Sequence, residues 1–298
     1  MSVLHFIRPI QGMLLGLLLA GLAGPVLPAR AQAGTGTETM ADRTLRGIVE
    51  RQKALLAEMD EASKKPGQLD VESFRTQLES LVHEYDLLLQ QSPDFAAGYA
   101  SYGYLLSKLD MRKAAMAALL KADRLDPSIA LVKNELGNFL AEDGKVLEAA
   151  DYYRAAMKLA PSEPLYPYQL GTLLYEGRDI FMKEGGYTRA DIDREMQDAF
   201  RRAAELAPNQ IAFTYRYAES FYDLAQPKWD EAYRAWAALE AKARSPIERE
   251  TMILHEANVR LKQDRPDEAR ALLAQVTLPQ LQDQRQKLVA KLPETARK

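Results

Sequence analysis

Two stretches near the amino terminus, Ala41 to Lys64 and Asp70 to Gln91, place apolar residues at helical spacing and predict a pair of amphipathic helices. Leu45, Ile48, Val49, Leu55, Leu56 and Met59 form the apolar face of the first, and Val71, Phe74, Leu78, Leu81, Val82, Tyr85 and Leu89 that of the second. Lys65-Pro66-Gly67 separates them, because proline cannot donate into a continuing helix and restricts the residue before it. His83, set within the second apolar run, is expected to be partly buried.

Downstream the pattern turns periodic. Pro93, Pro127 and Pro161 recur every 34 residues, each after a helical run that ends on a polar or small residue. Gly103 and Gly137, Leu106 and Leu140, Ala115 and Ala149, and Ala122 and Ala156 keep the same phase. Two antiparallel helices per period account for these residue types. Small residues sit where the helices cross, and Leu119 and Tyr153 fill the space around the crossing. Asp110 and Asp143-Gly144 supply the turn inside each pair, and the prolines end the second helix.

These residues resemble the tetratricopeptide repeat. Leu136-Gly137, Leu140, Ala149, Tyr153, Ala156 and Pro161 carry the pattern most fully, followed by Tyr99, Tyr102-Gly103, Leu106, Ala115, Leu119, Ala122 and Pro127. The resemblance implies an all-α fold, a right-handed superhelical solenoid of antiparallel helix pairs. Its repeats would span about 94–127, 128–161, 162–208, 209–246 and 247–276, with 41–93 as an N-terminal helical pair or divergent repeat and 277–298 as a capping helix.

The third repeat opens with Leu170-Gly171 and Leu174, then takes a 13-residue insertion, 176–188, before Phe200, Ala203 and Pro208 restore the register. Gly185-Gly186 and the sequence Thr188-Arg189-Ala190-Asp191, similar to a capping box, make the insertion a loop followed by a longer second helix. The fourth repeat is legible in Tyr217-Ala218, Phe221, Ala232, Trp236 and Pro246. The fifth keeps Ala257, Leu261, the Asp264-Arg265-Pro266 turn, Ala269 and Leu273.

The first residues change where the chain is expected to reside. His5 and Arg8, the unbroken apolar run Gly12 to Leu27 and the small-x-small sequence Ala31-Gln32-Ala33 read as a signal peptide, 1–33, cleaved after Ala33; the alternative is an uncleaved membrane anchor, for which the run is short and carries Pro25 and Pro28 near its end. A disordered leader, 34–40, would follow. The expectation is a periplasmic or secreted protein with no membrane span after cleavage.

Removal of Arg8 and Arg30 leaves 37 Lys and Arg against 42 Asp and Glu, a mildly acidic chain that argues against a nucleic-acid partner. With no cysteine there is no disulfide, thiol nucleophile or thiolate metal site, so packing alone must hold the fold. Only His83 and His255 lie outside the leader, each isolated on a helix. No histidine pair for a metal, Ser-His constellation or phosphate-cradling loop is legible. No cofactor and no catalysis are expected.

Among tetratricopeptide proteins the first helices of successive repeats line a concave groove. The resemblance therefore assigns Tyr104, Asn134, Asn138, Tyr168, Thr172, Tyr175, Tyr215, Glu219 and Tyr222 to a tyrosine-rich surface nearly free of positive charge. Tyrosine joins a large apolar body to a hydroxyl, and Asn can bridge to main chain, so the implied role is a scaffold that binds a protein or peptide segment. The alternatives are an all-helical exported enzyme, a toroid of glycoside-hydrolase type with its carboxylates among the helices, and a purely structural spacer.

Overall fold

The computed structural model describes residues 38–65 and 69–293. The expected signal peptide, its cleavage point, residues 34–37 of the leader and the Pro66-Gly67 break lie outside them, whereas Thr39 and Met40, expected in a disordered leader, cap and open the first helix. The described residues are all-α and divide into two compact units, one ending at Pro161 and the other starting at Ser162.

The first unit holds α1 (Met40–Lys64), α2 (Val71–Gln91), α3 (Ala96–Lys108), α4 (Arg112–Leu125), α5 (Ala130–Glu142) and α6 (Val146–Leu159). Thr39 and Asp42 close a capping box at the start of α1, and the Asp70 carboxylate caps α2 by accepting from the Ser73 amide at 3.1 Å. Leu45, Ile48, Val49 and Leu55 of α1 meet Leu81, Tyr85 and Leu88 of α2 in one core. The buried Tyr85 hydroxyl donates to Gln52, and its ring stacks on Tyr102 of α3 at 4.9 Å. His83 points outward and is exposed, contrary to the sequence expectation: Leu81, Tyr85 and Leu88 take the inner stripe, and position 83 falls on the opposite side of the helix.

The pairs α3/α4 and α5/α6 are built alike. Ala115, Leu119 and Ala122 of α4 are fully buried, and so are Ala149 and Ala156 of α6. Burying a side chain such as Leu119 contributes about 1.5–3 kcal/mol. Each pair turns on a left-handed residue, Asp110 at φ 57° and Gly144 at φ 75°. The following amides, of Met111 and Lys145, donate back to Leu106 O at 2.9 Å and Leu140 O at 2.8 Å. These bonds satisfy carbonyls that a helix end leaves without a partner. Between the pairs, Asp126 accepts from the Ser128 amide at 2.9 Å and steers the chain past Pro127.

The second unit holds α7 (Leu165–Glu176), α8 (Arg178–Lys183), α9 (Arg189–Leu206), α10 (Ile211–Ser220), α11 (Trp229–Glu240), α12 (Pro246–Lys262), α13 (Pro266–Leu273) and α14 (Gln282–Val289). The insertion is not a plain loop, as the sequence suggested. It contains α8, whose fully buried Phe181 meets the edge of Tyr187 at 5.6 Å, and it turns at Gly186 with φ 68°. Thr188 and Asp191 form the capping box that opens α9. After α10 the chain tightens into a 3-10 turn, Phe221–Asp223, and runs without helix to Trp229. Pro246 occupies the first turn of α12 behind the Ser245 cap, where its missing amide costs nothing. The turn from α12 to α13 repeats the arrangement of the first unit, with Asp264 at φ 57° and the Arg265 amide on Arg260 O at 2.9 Å.

Gly103, Gly137 and Gly171 occupy equivalent crossings. A Cβ at these positions would stand 2.7 Å from Leu119 Cγ, 2.8 Å from Tyr153 Cε1 and 2.8 Å from Phe200 Cδ1, each a residue of the partner helix in its own pair.

Candidate functional site

In the second unit, positions 168, 172 and 175 of α7 and 215, 219 and 222 of the α10 segment fall one helical turn apart, so each trio forms a stripe. Tyr168 packs on Phe213 at 5.2 Å and edge-on to Phe200 at 5.9 Å, with its rim half exposed. Burial pushes its hydroxyl pKa above the ordinary range. Thr172 is half-buried, and Tyr175 is 41% exposed.

Beneath Tyr175 lies a cation that the sequence reading missed. The Arg216 guanidinium sits 4.6 Å from the Tyr175 ring and 4.4 Å from Phe200. It donates to the Asp223 carboxylate at 2.9 Å and approaches Glu219 at 3.4 Å. Arg178 of α8 reaches the outer part of the same ring at 5.5 Å. The surface therefore has cations within it, contrary to the expectation, but their charge is used below the tyrosines.

Arg178 also belongs to a clamp that the insertion places on the loop after α10. Arg178 and Arg189 both donate to the main-chain carbonyl of Asp223, at 3.3 and 2.6 Å. The buried Asp193 carboxylate accepts from the Ala225 amide at 2.7 Å and pairs with Arg189 at 2.7 Å and Arg178 at 3.4 Å. One side-chain network thus holds the carbonyl before Leu224 and the amide after it. Tyr222 and Asp223, the residues leading into this loop, are fixed as a result.

The other side of Tyr222 faces His255, which is not isolated. The imidazole stacks on the fully buried Trp236 at 3.9 Å with 5° between the planes, and Nε2 lies 3.1 Å from the Tyr215 hydroxyl. The Tyr222 hydroxyl donates to the His255 carbonyl at 3.3 Å. Burial depresses the His255 pKa to about 4 and lifts that of Tyr222 to about 12. At neutral pH the histidine is therefore an uncharged spacer that joins α10, α11 and α12 through aromatic faces and the hydroxyls of Tyr215 and Tyr222. Its neighbour Glu256 is 2% exposed, and burial together with the Glu240 charge raises its pKa to about 7.

In the first unit the assigned residues turn inward. Tyr104 is 8% and Asn134 1% exposed. Glu135, itself buried, collects Ser107 Oγ at 2.9 Å, Asn134 Nδ2 at 3.2 Å and Asn138 Nδ2 at 3.4 Å, while Asn138 Oδ1 accepts from the Tyr153 hydroxyl at 2.8 Å. The Glu135 charge holds the Lys108 pKa up, and Lys108 lies 4.8 Å over the Tyr104 ring. Here Asn138 and the Asn134 amide nitrogen are spent inside the network and Tyr104 is buried, so the open tyrosine surface is that of α7 and α10.

The tetratricopeptide repeat family model matches residues 96–129, which include α3, α4 and the turn before α5. No curated protein matches the chain in sequence. Among solved structures the chain is similar to YrrB, described as a TPR protein with an unusual peptide-binding site, at 19% identity and a TM-score of 0.52, covering 64% of this chain and 90% of YrrB. It is also similar to pilF of Pseudomonas aeruginosa at 16% identity and a TM-score of 0.50, covering 82% of this chain and 99% of pilF. At such identities the likeness is one of fold. Residues 96–129 match a tetratricopeptide repeat, and the chain has the all-α helix-pair fold of tetratricopeptide-repeat solenoids.

Proposed function

We propose that this chain is an exported tetratricopeptide scaffold that holds a segment of another protein on the tyrosine face of α7 and α10, without transforming it. The observation that carries this reading is the set Tyr168, Tyr175, Tyr215 and Tyr222. All four rings are braced from below by Phe213, Arg216, His255 or Trp236, and none is fully buried. Rigid aromatic rings give contact area at little entropic cost, the property that makes tyrosine a frequent anchor at interfaces. The peptide-binding site named for YrrB, a protein of similar fold, supports the same class of role. Export rests on the apolar run Gly12 to Leu27 and the Ala31-Gln32-Ala33 sequence.

Photoreactive side chains at positions 168 and 215, in cells producing the full chain, test both parts. The expected result is a discrete crosslinked partner in the extracytoplasmic fraction, on a chain whose first residue follows Ala33. Random crosslinks to abundant proteins would remove the scaffold reading, and retention of residues 1–33 in the cytoplasm would remove the export.

A further inference from the structure

The charges on the tyrosine face are sorted by depth. Arg216, its side chain 14% exposed, is covered by Tyr175 and held by Asp223 at 2.9 Å; Arg178, 17% exposed, is held at 3.4 Å by Asp193. The carboxylates remain outside. Glu176, the one charged residue of α7, is exposed and makes no ion pair among the described residues. The Glu219 side chain is 46% exposed and touches Arg216 only at 3.4 Å. Arg216 links the two places, since it reaches Glu219 and also lies against the ring of Tyr175, the residue before Glu176. Tyr168 and Tyr175 offer ring surface beside these carboxylates.

Resting on the reading above, we propose that the segment held by α7 and α10 is basic: an extended stretch whose Lys or Arg lays its aliphatic stem along Tyr168 and Tyr175 and its cationic head between Glu176 and Glu219. A guanidinium or ammonium gains from both the ring face and the carboxylates. An acidic segment or a terminal carboxylate meets two like charges and no available cation. The preference is electrostatic and lies at the surface, so it shrinks as salt rises.

The test uses the chain from Gly34 onward and three matched sets of short amidated peptides on a common Leu/Tyr/Pro background, one carrying Lys and Arg, one uncharged, one carrying Asp and Glu. Binding is read by fluorescence anisotropy at low and moderate salt. The basic set is expected to bind about tenfold more tightly than the uncharged set, the sum of a cation–ring contact and a surface ion pair. Glu176→Gln with Glu219→Gln should abolish that preference while leaving the thermal unfolding curve in place, since both side chains are exposed. If uncharged or acidic peptides bind as well as basic ones, or the preference survives in the double variant, the charge assignment is overturned while peptide capture stands. If no set binds, both readings fall.

Discussion

The Phe200 ring occupies the space that a Cβ at Gly171 would need, with Cδ1 and Cε1 both 2.8 Å from that point. The ring is fully buried and cannot swing into solvent. Gly171→Ala should therefore destabilise the second unit by about 1–3 kcal/mol, the usual cost of overpacking, even though alanine is the better helix former by about 1 kcal/mol. Urea unfolding of Gly171→Ala, of Phe200→Leu and of the double variant checks this. The second change should recover part of the loss, and strict additivity would deny the contact its importance.

Asp110 and Asp264 hold the left-handed turn position that Gly144 holds between α5 and α6. An L-residue there costs about 1–2 kcal/mol, and glycine gives back part of that relief through its freer unfolded chain. Asp110→Gly and Asp264→Gly should each stabilise by about 0.5–1 kcal/mol, read as a higher denaturation midpoint at unchanged slope.

Asp193→Ala removes the acceptor of the Ala225 amide and leaves Arg178 and Arg189 without their carboxylate. Breaking such a largely buried pair is expected to cost about 2–4 kcal/mol. The distinguishing readout is local: hydrogen exchange at the Ala225 amide should accelerate beyond what the loss of global stability explains.

His255 and Glu256 make opposite contributions to pH dependence. The His255 pKa falls from 6.5 to about 4 on folding, so its stabilising contribution is complete above pH 6.5 and is lost as pH drops toward 4. The Glu256 pKa rises from 4.5 to about 7, so its contribution is complete below pH 4.5 and is lost as pH climbs through 7. Between those limits the two slopes largely cancel. Glu256→Gln should unmask a fall in stability toward acid, and His255→Gln a fall toward neutral pH, each up to about 2 kcal/mol after screening by nearby solvent. Thermal melts across pH 4 to 8 would show it; parallel profiles for the two variants would contradict the assignment.

What the sequence made legible is whatever repeats at short range. Gly103, Gly137 and Gly171 with their small and bulky partners recur in phase, because every pair must solve the same crossing, and the turn residues Asp110, Gly144 and Asp264 follow the same logic. The braced tyrosine face is another matter. Arg216 meets Tyr175 across the insertion, and the His255 cluster draws its rings from α10 and α11. Such partners have no fixed spacing and leave no periodic trace. The dense aromatics between Phe213 and Trp236 were the available hint, and the lone histidine on the following helix was read as solitary instead. A helix as short as α8 shows too few apolar positions to declare its period.

The loop from Asp223 to Lys228 is held at its main chain by arginines and an aspartate from elsewhere, while Ala225, Gln226 and Lys228 keep their own side chains in water. Its path is thus written in other residues, and its surface lettering is free to vary: new side chains can be installed at 225, 226 and 228 next to the tyrosines without redrawing the backbone that presents them.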